Sequence, residues 1–299
     1  MPDAKTNCPL CGSDRNAIFD QRAFQERTVI NRLCSNCGLV LQSPRMNDRE
    51  LRAFYEREYR QMYQTSEGPT QKDLAVQQAR AQALLNFTSR HLNEVTNHLD
   101  IGCSSGLLLD IFRQEYDSNP IGIEPGEAYR IYAQELNIKV YKSREELASQ
   151  NTGRFDLISM AHVLEHIAEP VDYLREIRRD LLTHDGALLI EVPNLYAHDC
   201  FEVAHLVSYS PHTLKQTLNK AGFDIIARQV HGQPRSDLLR LYVTLLAVQS
   251  NQTDEIIIDT ERWVIQKRQI GMFRREMLMR LFPRQAWLPI PVYIPTEQQ

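Results

Sequence analysis

Residues 98–111 read H-L-D-I-G-C-S-S-G-L-L-L-D-I, an apolar run that meets an acid, then a turn of small residues, then helix-forming sequence. A strand that enters a Gly/Ser turn and leaves as a helix opens a nucleotide-binding α/β unit. This stretch constrains the fold more than any other part of the chain. The turn departs from the dinucleotide fingerprint in two respects. Small residues fall at Gly102, Ser104 and Gly106, so G-x-G-x-x-G is not met. Asp100 stands two residues before the first glycine, where a carboxylate repels an incoming pyrophosphate. A ligand carrying positive charge suits that position.

Further blocks follow in order. I-G-I-E-P-G at 121–126 is a second short strand ending in Glu124, 24 residues after Asp100. That offset is close to the roughly 20 residues at which an acid meets a ribose hydroxyl pair. F-D-L-I-S-M-A-H-V-L-E-H occupies 155–166, and L-T-H-D-G-A-L-L-I-E-V-P-N occupies 182–194. H-L-V-S-Y-S-P at 205–211 and A-G-F-D at 221–224 complete the series. Together with D-I-G-C-S-S-G at 100–106, these blocks resemble the successive motifs of class I S-adenosylmethionine-dependent methyltransferases, from about Asn97 to Val248. Ser104 stands where that family usually has a glycine.

The resemblance implies a Rossmann-like, doubly wound α/β sheet of seven strands, the last antiparallel and supplied by Leu241–Val248. It also implies S-adenosylmethionine as cofactor, whose sulfonium and ammonium groups answer the charge of Asp100. Contacts to it are expected from Asp100, Gly102, Cys103, Ser104, Gly106, Glu124, Pro125, Met160, Ala161 and His162.

A second signal lies at the N-terminus. Cys8 and Cys11 form one C-x2-C pair, Cys34 and Cys37 another, with 22 residues between them and Gly12 and Gly38 just after. This is close to the two-knuckle spacing of structural zinc sites. Four thiolates fill a tetrahedral Zn2+ shell and leave no position open for chemistry. Iron in a rubredoxin-like site and a pair of disulfides are the competing readings, and nothing in the sequence suggests the secretion that disulfides favour. Cys103 reads as a small loop residue and Cys200 as packing.

These landmarks divide the chain into a zinc ribbon over 1–45, a helical cap or linker over 46–96, the methyltransferase-like domain over 97–250 and a C-terminal helix and tail over 251–299. Short ribbon strands are expected at Ala17–Phe19 and Leu39–Gln42. One cap helix is expected from Asn47 or Asp48 through Tyr59, another from about Thr70 to His91. Glu255–Phe282 reads as a long helix with Trp263, Ile270, Phe273, Met277 and Leu281 on one stripe. Arg262, Lys267, Arg268, Arg274, Arg275 and Arg280 lie on the other side. The leading expectation docks the apolar stripe on the protein's own domain; a homodimer contact, an acidic partner and a membrane surface are the other readings. The tail 283–295, with four prolines, reads as an extended strap.

No apolar run reaches the 18 or so residues of a membrane span and no signal-peptide core is present, so a cytoplasmic protein is expected. The net charge of −4 gives no general reason to bind nucleic acid. The ribbon followed by F-Y-x3-Y at 54–59 resembles a zinc-bearing subgroup of these methyltransferases, and that resemblance implies methyl transfer to a small-molecule or saccharide-type acceptor. An RNA methyltransferase, which would need a basic groove, and a non-catalytic cofactor-binding scaffold, hinted at by Ser104, are the alternatives. Methyl transfer needs in-line alignment, and an oxygen acceptor also needs a base, for which histidine titrates in the useful range. His205, before S-Y-S-P, and His166 are the catalytic candidates. A structural loop histidine and a helix-opening residue are their plainer readings.

Overall fold

The computed structural model describes residues 6–24, 27–46, 50, 68–150, 152–199, 201–251 and 256–295. The expected cap helix through Phe54, Tyr55 and Tyr59 lies outside these residues, as does Cys200. Three strands come first: β1 (Asn16–Phe24), β2 (Arg27–Cys34) and β3 (Val40–Gln42). Helix α1 (Gln71–Thr88) starts from a capping box in which Thr70 and Asp73 satisfy each other's backbone amides. It falls within the span expected for the second cap helix.

The next stretch alternates strand and helix. It runs β4 (Asn97–Ile101), α2 (Leu107–Tyr116), β5 (Asn119–Ile123), α3 (Glu127–Glu135), β6 (Lys139–Tyr141), α4 (Arg144–Ala148) and β7 (Phe155–Ala161). Then come α5 (Pro170–Glu176), β8 (Leu182–Pro193), β9 (Val207–Ser208), α6 (Pro211–Lys220), β10 (Phe223–His231) and β11 (Tyr242–Gln249). Seven strands form one sheet in the order β10-β11-β8-β7-β4-β5-β6, with β11 antiparallel to both neighbours. The expected Rossmann-like sheet is present, including its antiparallel strand, which runs Tyr242–Gln249. Strand order reverses between β4 and β7, and ligands of such sheets bind in the crevice at that switch point.

Both sheet faces are buried, so the strands read as continuous apolar runs rather than alternating ones. Leu157, Leu189 and Leu246 face α1 and α2, meeting Leu84, Leu85, Leu108 and Phe112. Ile158, Leu188, Ile190 and Leu245 turn the other way, toward Leu174 of α5 and Leu214 and Leu218 of α6. Cys8, Leu10, Cys34, Cys37, Leu39 and Leu41 belong to this second core as well. The N-terminal strands are therefore built onto the sheet domain. β3 pairs antiparallel with β9 (Val40 with Ser208, Leu41 with Val207), and Lys220 Nζ donates to the Leu10 carbonyl at 2.5 Å.

The C-terminal segment departs from expectation in two ways. Residues 256–263 are not helical and run along the Cys34–Cys37 knuckle: the Glu261 amide donates to Cys37 O at 3.1 Å and Thr260 Oγ1 to Asn36 O at 2.7 Å. Helix α7 (Val264–Leu281) begins only after Trp263, whose φ of 63° breaks the backbone direction. Its orientation is also the reverse of a docked apolar stripe. Trp263, Ile270, Phe273 and Leu281 are 70%, 68%, 65% and 62% exposed. The face toward the protein carries buried Val264, together with Arg268 and Arg275, which donate to the carbonyls of Leu195, His198 and Ala197. Gly271 lets the helix lie against the Tyr196 carbonyl, since a Cβ there would sit 1.9 Å from its oxygen. The expected basic side is thus split: Arg268 and Arg275 meet the carbonyls of the 195–198 loop, while Arg262, Arg274 and Arg280 are exposed alongside the apolar stripe. A short helix α8 (Pro283–Ala286) follows. No described helix is long and apolar enough to cross a membrane.

Candidate active site

The turn after β4 is held open by its backbone. Gly102, Ser104 and Gly106 all have positive φ, of 76°, 50° and 78°. A serine at such a position costs on the order of 1 kcal/mol. The Ser104 amide donates to Glu124 Oε2 at 3.0 Å, and the amides of Gly102 and Cys103 both donate to the Ile123 carbonyl. Glu124 is fixed further by the Gly126 amide on Oε1 at 2.5 Å. From the other side, Ser105 Oγ meets Gln77 of α1 at 2.5 Å. The loop is thus tied to the end of β5 and to α1.

These elements enclose a cavity of about 580 Å³ at the β4/β7 switch point. Asp100, Gly102, Cys103, Ser104, Glu124, Pro125, Ala161, His162 and His166 line it, all named from the sequence. Three expected residues stand back from it. Met160 is fully buried in the core, Gly106 begins α2, and His205 lies behind His166 with ring centroids 5.0 Å apart.

Asp100 is 3% exposed. Its Oδ1 accepts from Ser159 Oγ at 2.7 Å, and Ser159 in turn meets His98 Nε2 at 2.8 Å. With Ser159 donating to Asp100, His98 must donate through Nε2. Burial keeps His98 neutral by lowering its pKa to about 3. Burial also lifts the Asp100 carboxyl from 3.8 to about 7, with the Ser159 hydrogen bond opposing the rise and the charge of Glu124 adding to it. Among the described residues no cationic side chain pairs with Asp100.

The opposite wall holds a network that sequence reading missed. His162, held in the left-handed region at φ 58°, sits between two buried carboxylates. Its Nδ1 is 3.5 Å from Glu165 Oε1 and its Nε2 is 3.2 Å from Glu191 Oε1. Glu191 also meets Arg80 Nε at 3.1 Å, His231 Nε2 at 3.3 Å and Thr244 Oγ1 at 3.2 Å. Tyr242 packs at its edge, with the His162 ring 5.2 Å away and the Arg80 guanidinium 5.4 Å from the ring centre.

Burial and the charge of Arg80 push the His162 pKa down, but the hydrogen bonds to Glu165 and Glu191 prevail and leave it above 6.5. Burial alone would raise the carboxylates; their histidine partners hold Glu165 at about 2 and Glu191 well below the usual range. Burial lowers His166 to about 4, and its Nδ1 meets the Ala204 carbonyl at 2.9 Å. A signal for Glu191 was available: an acid near the end of the apolar run L-L-I-E-V, on the strand edge where such sheets bind ligands.

The rim is closed from the far end of the chain. Tyr293 and Tyr132 hydroxyls meet at 3.0 Å, and the backbone of Ile294 makes paired hydrogen bonds with the Gln78 side chain, at 3.1 and 2.6 Å. Gln78 shares α1 with Gln77 and Arg80, and Tyr132 shares α3 with Tyr129, all three on the cavity wall.

Comparison with known proteins adds three findings. A family model described as a methyltransferase domain matches residues 74–228. The chain is 33% identical over 103 residues to the ubiquinone biosynthesis O-methyltransferase of Pseudomonas aeruginosa (strain UCBPP-PA14), covering 32% of this chain and 44% of that protein. It is 29% identical over 85 residues to the protein of the same name from Acinetobacter baumannii (strain AYE), covering 26% and 35%. The chain thus spans less than half the length of these curated relatives. Among solved structures, it resembles the 1,6-didemethyltoxoflavin-N1-methyltransferase of Burkholderia thailandensis with a TM-score of 0.56 at 17% identity, covering 78% of this chain and 100% of that one. That likeness is one of fold.

The Asp100 charge has a measurable consequence in the free protein. Its folded pKa of about 7 exceeds the ordinary 3.8, so between those values the folded state holds a proton that the unfolded chain has lost. Folding stability therefore falls as pH rises through that window. Asp100→Asn is expected to stabilise the ligand-free protein by roughly 1–4 kcal/mol near pH 8 and by almost nothing near pH 4. Denaturant melts at both pH values check this, and an equal effect at both would refute the raised pKa.

Proposed function

The chain belongs to the methyltransferase-domain family, and on that premise we propose that it transfers a methyl group from S-adenosylmethionine to a small-molecule or saccharide-type acceptor. One observation carries the reading: a buried carboxylate, Asp100, lines the switch-point cavity, and among the described residues no cationic side chain pairs with it. A cationic cofactor fits that donor set, whereas a dinucleotide's pyrophosphate does not. When bound, S-adenosylmethionine supplies an activated methyl on a sulfonium leaving group. Asp100 would hold the positively charged end and Glu124 the ribose hydroxyls, with Gly102, Cys103, Ser104, Pro125 and Ala161 shaping the wall between them.

The names of the curated relatives support a small acceptor with an oxygen nucleophile. His166 is the best-placed base for such an acceptor: it lines the cavity in neutral form, and with Nδ1 donating to the Ala204 carbonyl its Nε2 carries the lone pair. His162 turns both ring nitrogens to Glu165 and Glu191 and is held charged there as part of the wall. His205, edge-on behind His166, fixes its position.

We further propose that Cys8, Cys11, Cys34 and Cys37 hold a structural zinc ion. Their sulfurs all lie within 4.8 Å of one another, with Cys8–Cys37 and Cys11–Cys34 at 3.5 Å and no disulfide among them. Tetrahedral zinc–thiolate geometry sets sulfur–sulfur distances of about 3.8 Å. The shell is closed, so the ion takes no part in chemistry.

Calorimetry with S-adenosylmethionine tests the cofactor: micromolar binding is expected, weakened at least tenfold by Asp100→Ala or Glu124→Ala. Unchanged affinity in both variants would sink the assignment. For the base, the rate with a phenolic or sugar acceptor should rise with pH through a midpoint well below 6.5, because burial lowers His166. His166→Gln should lower kcat by about 10²–10⁴-fold with cofactor affinity kept. A His166→Gln enzyme with the parent kcat would remove His166 from the chemistry. For the metal, the purified protein should carry one zinc per chain. Cys34→Ser should lower Tm by several degrees, because the ribbon shares its core with the sheet; a metal-free protein of unchanged Tm would contradict this.

A further inference from the structure

The outer face of α7 has no partner among the described residues. Trp263, Ile270, Phe273 and Leu281 are exposed along it, and Phe282 is exposed just past the helix end. Exposed arginines run with them, at 262, 274, 280 and 284, against a single exposed acid on the helix, Glu276. The opposite face is already engaged, through Val264, Arg268, Gly271 and Arg275. The helix is therefore anchored, and its apolar side is presented outward.

We propose that α7 lays this face on an anionic lipid surface. An interfacial helix combines a bulky apolar stripe with arginine or lysine beside it, so that the stripe enters the headgroup boundary while the cations meet lipid phosphates. Trp263, one of the chain's two tryptophans, stands exposed at the start of this face. Tryptophan favours the level of the headgroups. At 18 residues with arginines along it, α7 lies on a bilayer and does not cross one. A second copy of the chain is a poorer occupant, because a two-fold pairing of this face would set arginines against the same arginines. The hollow at the helix end, about 190 Å³ between Arg275, Met279, Pro283 and Trp287, is too small to seat an acidic peptide.

Trp263 makes the test direct. The full-length protein is mixed with vesicles of phosphatidylcholine alone or with added phosphatidylglycerol, and co-sedimentation and tryptophan fluorescence are read together. Binding to the anionic vesicles is expected to be at least tenfold tighter, with a blue-shifted emission, and to fall away at about 0.5 M salt. Phe273→Glu, a change at a fully outward position, should weaken binding at least tenfold and leave circular dichroism and Tm unchanged. No binding to either vesicle would overturn the proposal. So would a concentration-dependent dimer that Phe273→Glu dissolves, which would assign the face to a second copy. Neither outcome touches the methyltransferase reading, because cofactor binding is measured separately.

Discussion

Asp100 carries a charge that the surrounding protein resists. It sits at the end of the central strand, 3% exposed, with one hydroxyl donor and a second carboxylate nearby. A site that wants a proton or a cation this strongly has been left incomplete by the fold itself. The remaining architecture can be understood from that position. The strand order reverses beside it, the glycine turn opens above it, and Glu124 is brought to it by the adjacent parallel strand, where Asp100 pairs with Gly122. Stability given up at this carboxylate is recovered when a proton or a positive ligand arrives, which couples folding to pH and to occupancy.

The opposite wall solves the reverse problem. Glu191 is equally buried, yet Arg80, His162, His231 and Thr244 surround it, so its charge is held permanently. Two buried acids on facing walls thus have unlike environments, one awaiting a cation and one saturated with them. Environments that separate the titration of like groups are how a single pocket divides binding from proton transfer.

Asp100 and Glu124 were legible in the sequence because the relation between them is local: neighbouring strands joined by one helix, at a readable spacing. Glu191, Arg80 and His231 were not, because they converge from β8, α1 and β10, and no spacing in the chain encodes that meeting. β2 escaped notice because its run R-T-V-I-N-R-L-C buries Asn31 and Arg32, which break an apolar pattern. The periodicity of α7 correctly revealed a stripe but could not say which side faced inward. That was decided by three loop carbonyls and by the room Gly271 leaves. The four cysteines announced their cluster, while the sharing of their core with the sheet appears only in three dimensions.

The tail contact at Tyr293 and Ile294 bears on how the molecule is made. Gln77, Arg80 and Ala81 form part of the cavity wall, and the helix bearing them is tied to residue 294 through Gln78. Likewise β3 waits for β9, some 165 residues later, before its outer edge is paired. Contacts of such separation form late, since the loop they close must first be ordered. A nascent chain could therefore assemble its central strands early and still possess no finished pocket. The wall that α1 lends to the cavity is thus tied to a segment 216 residues further along the chain.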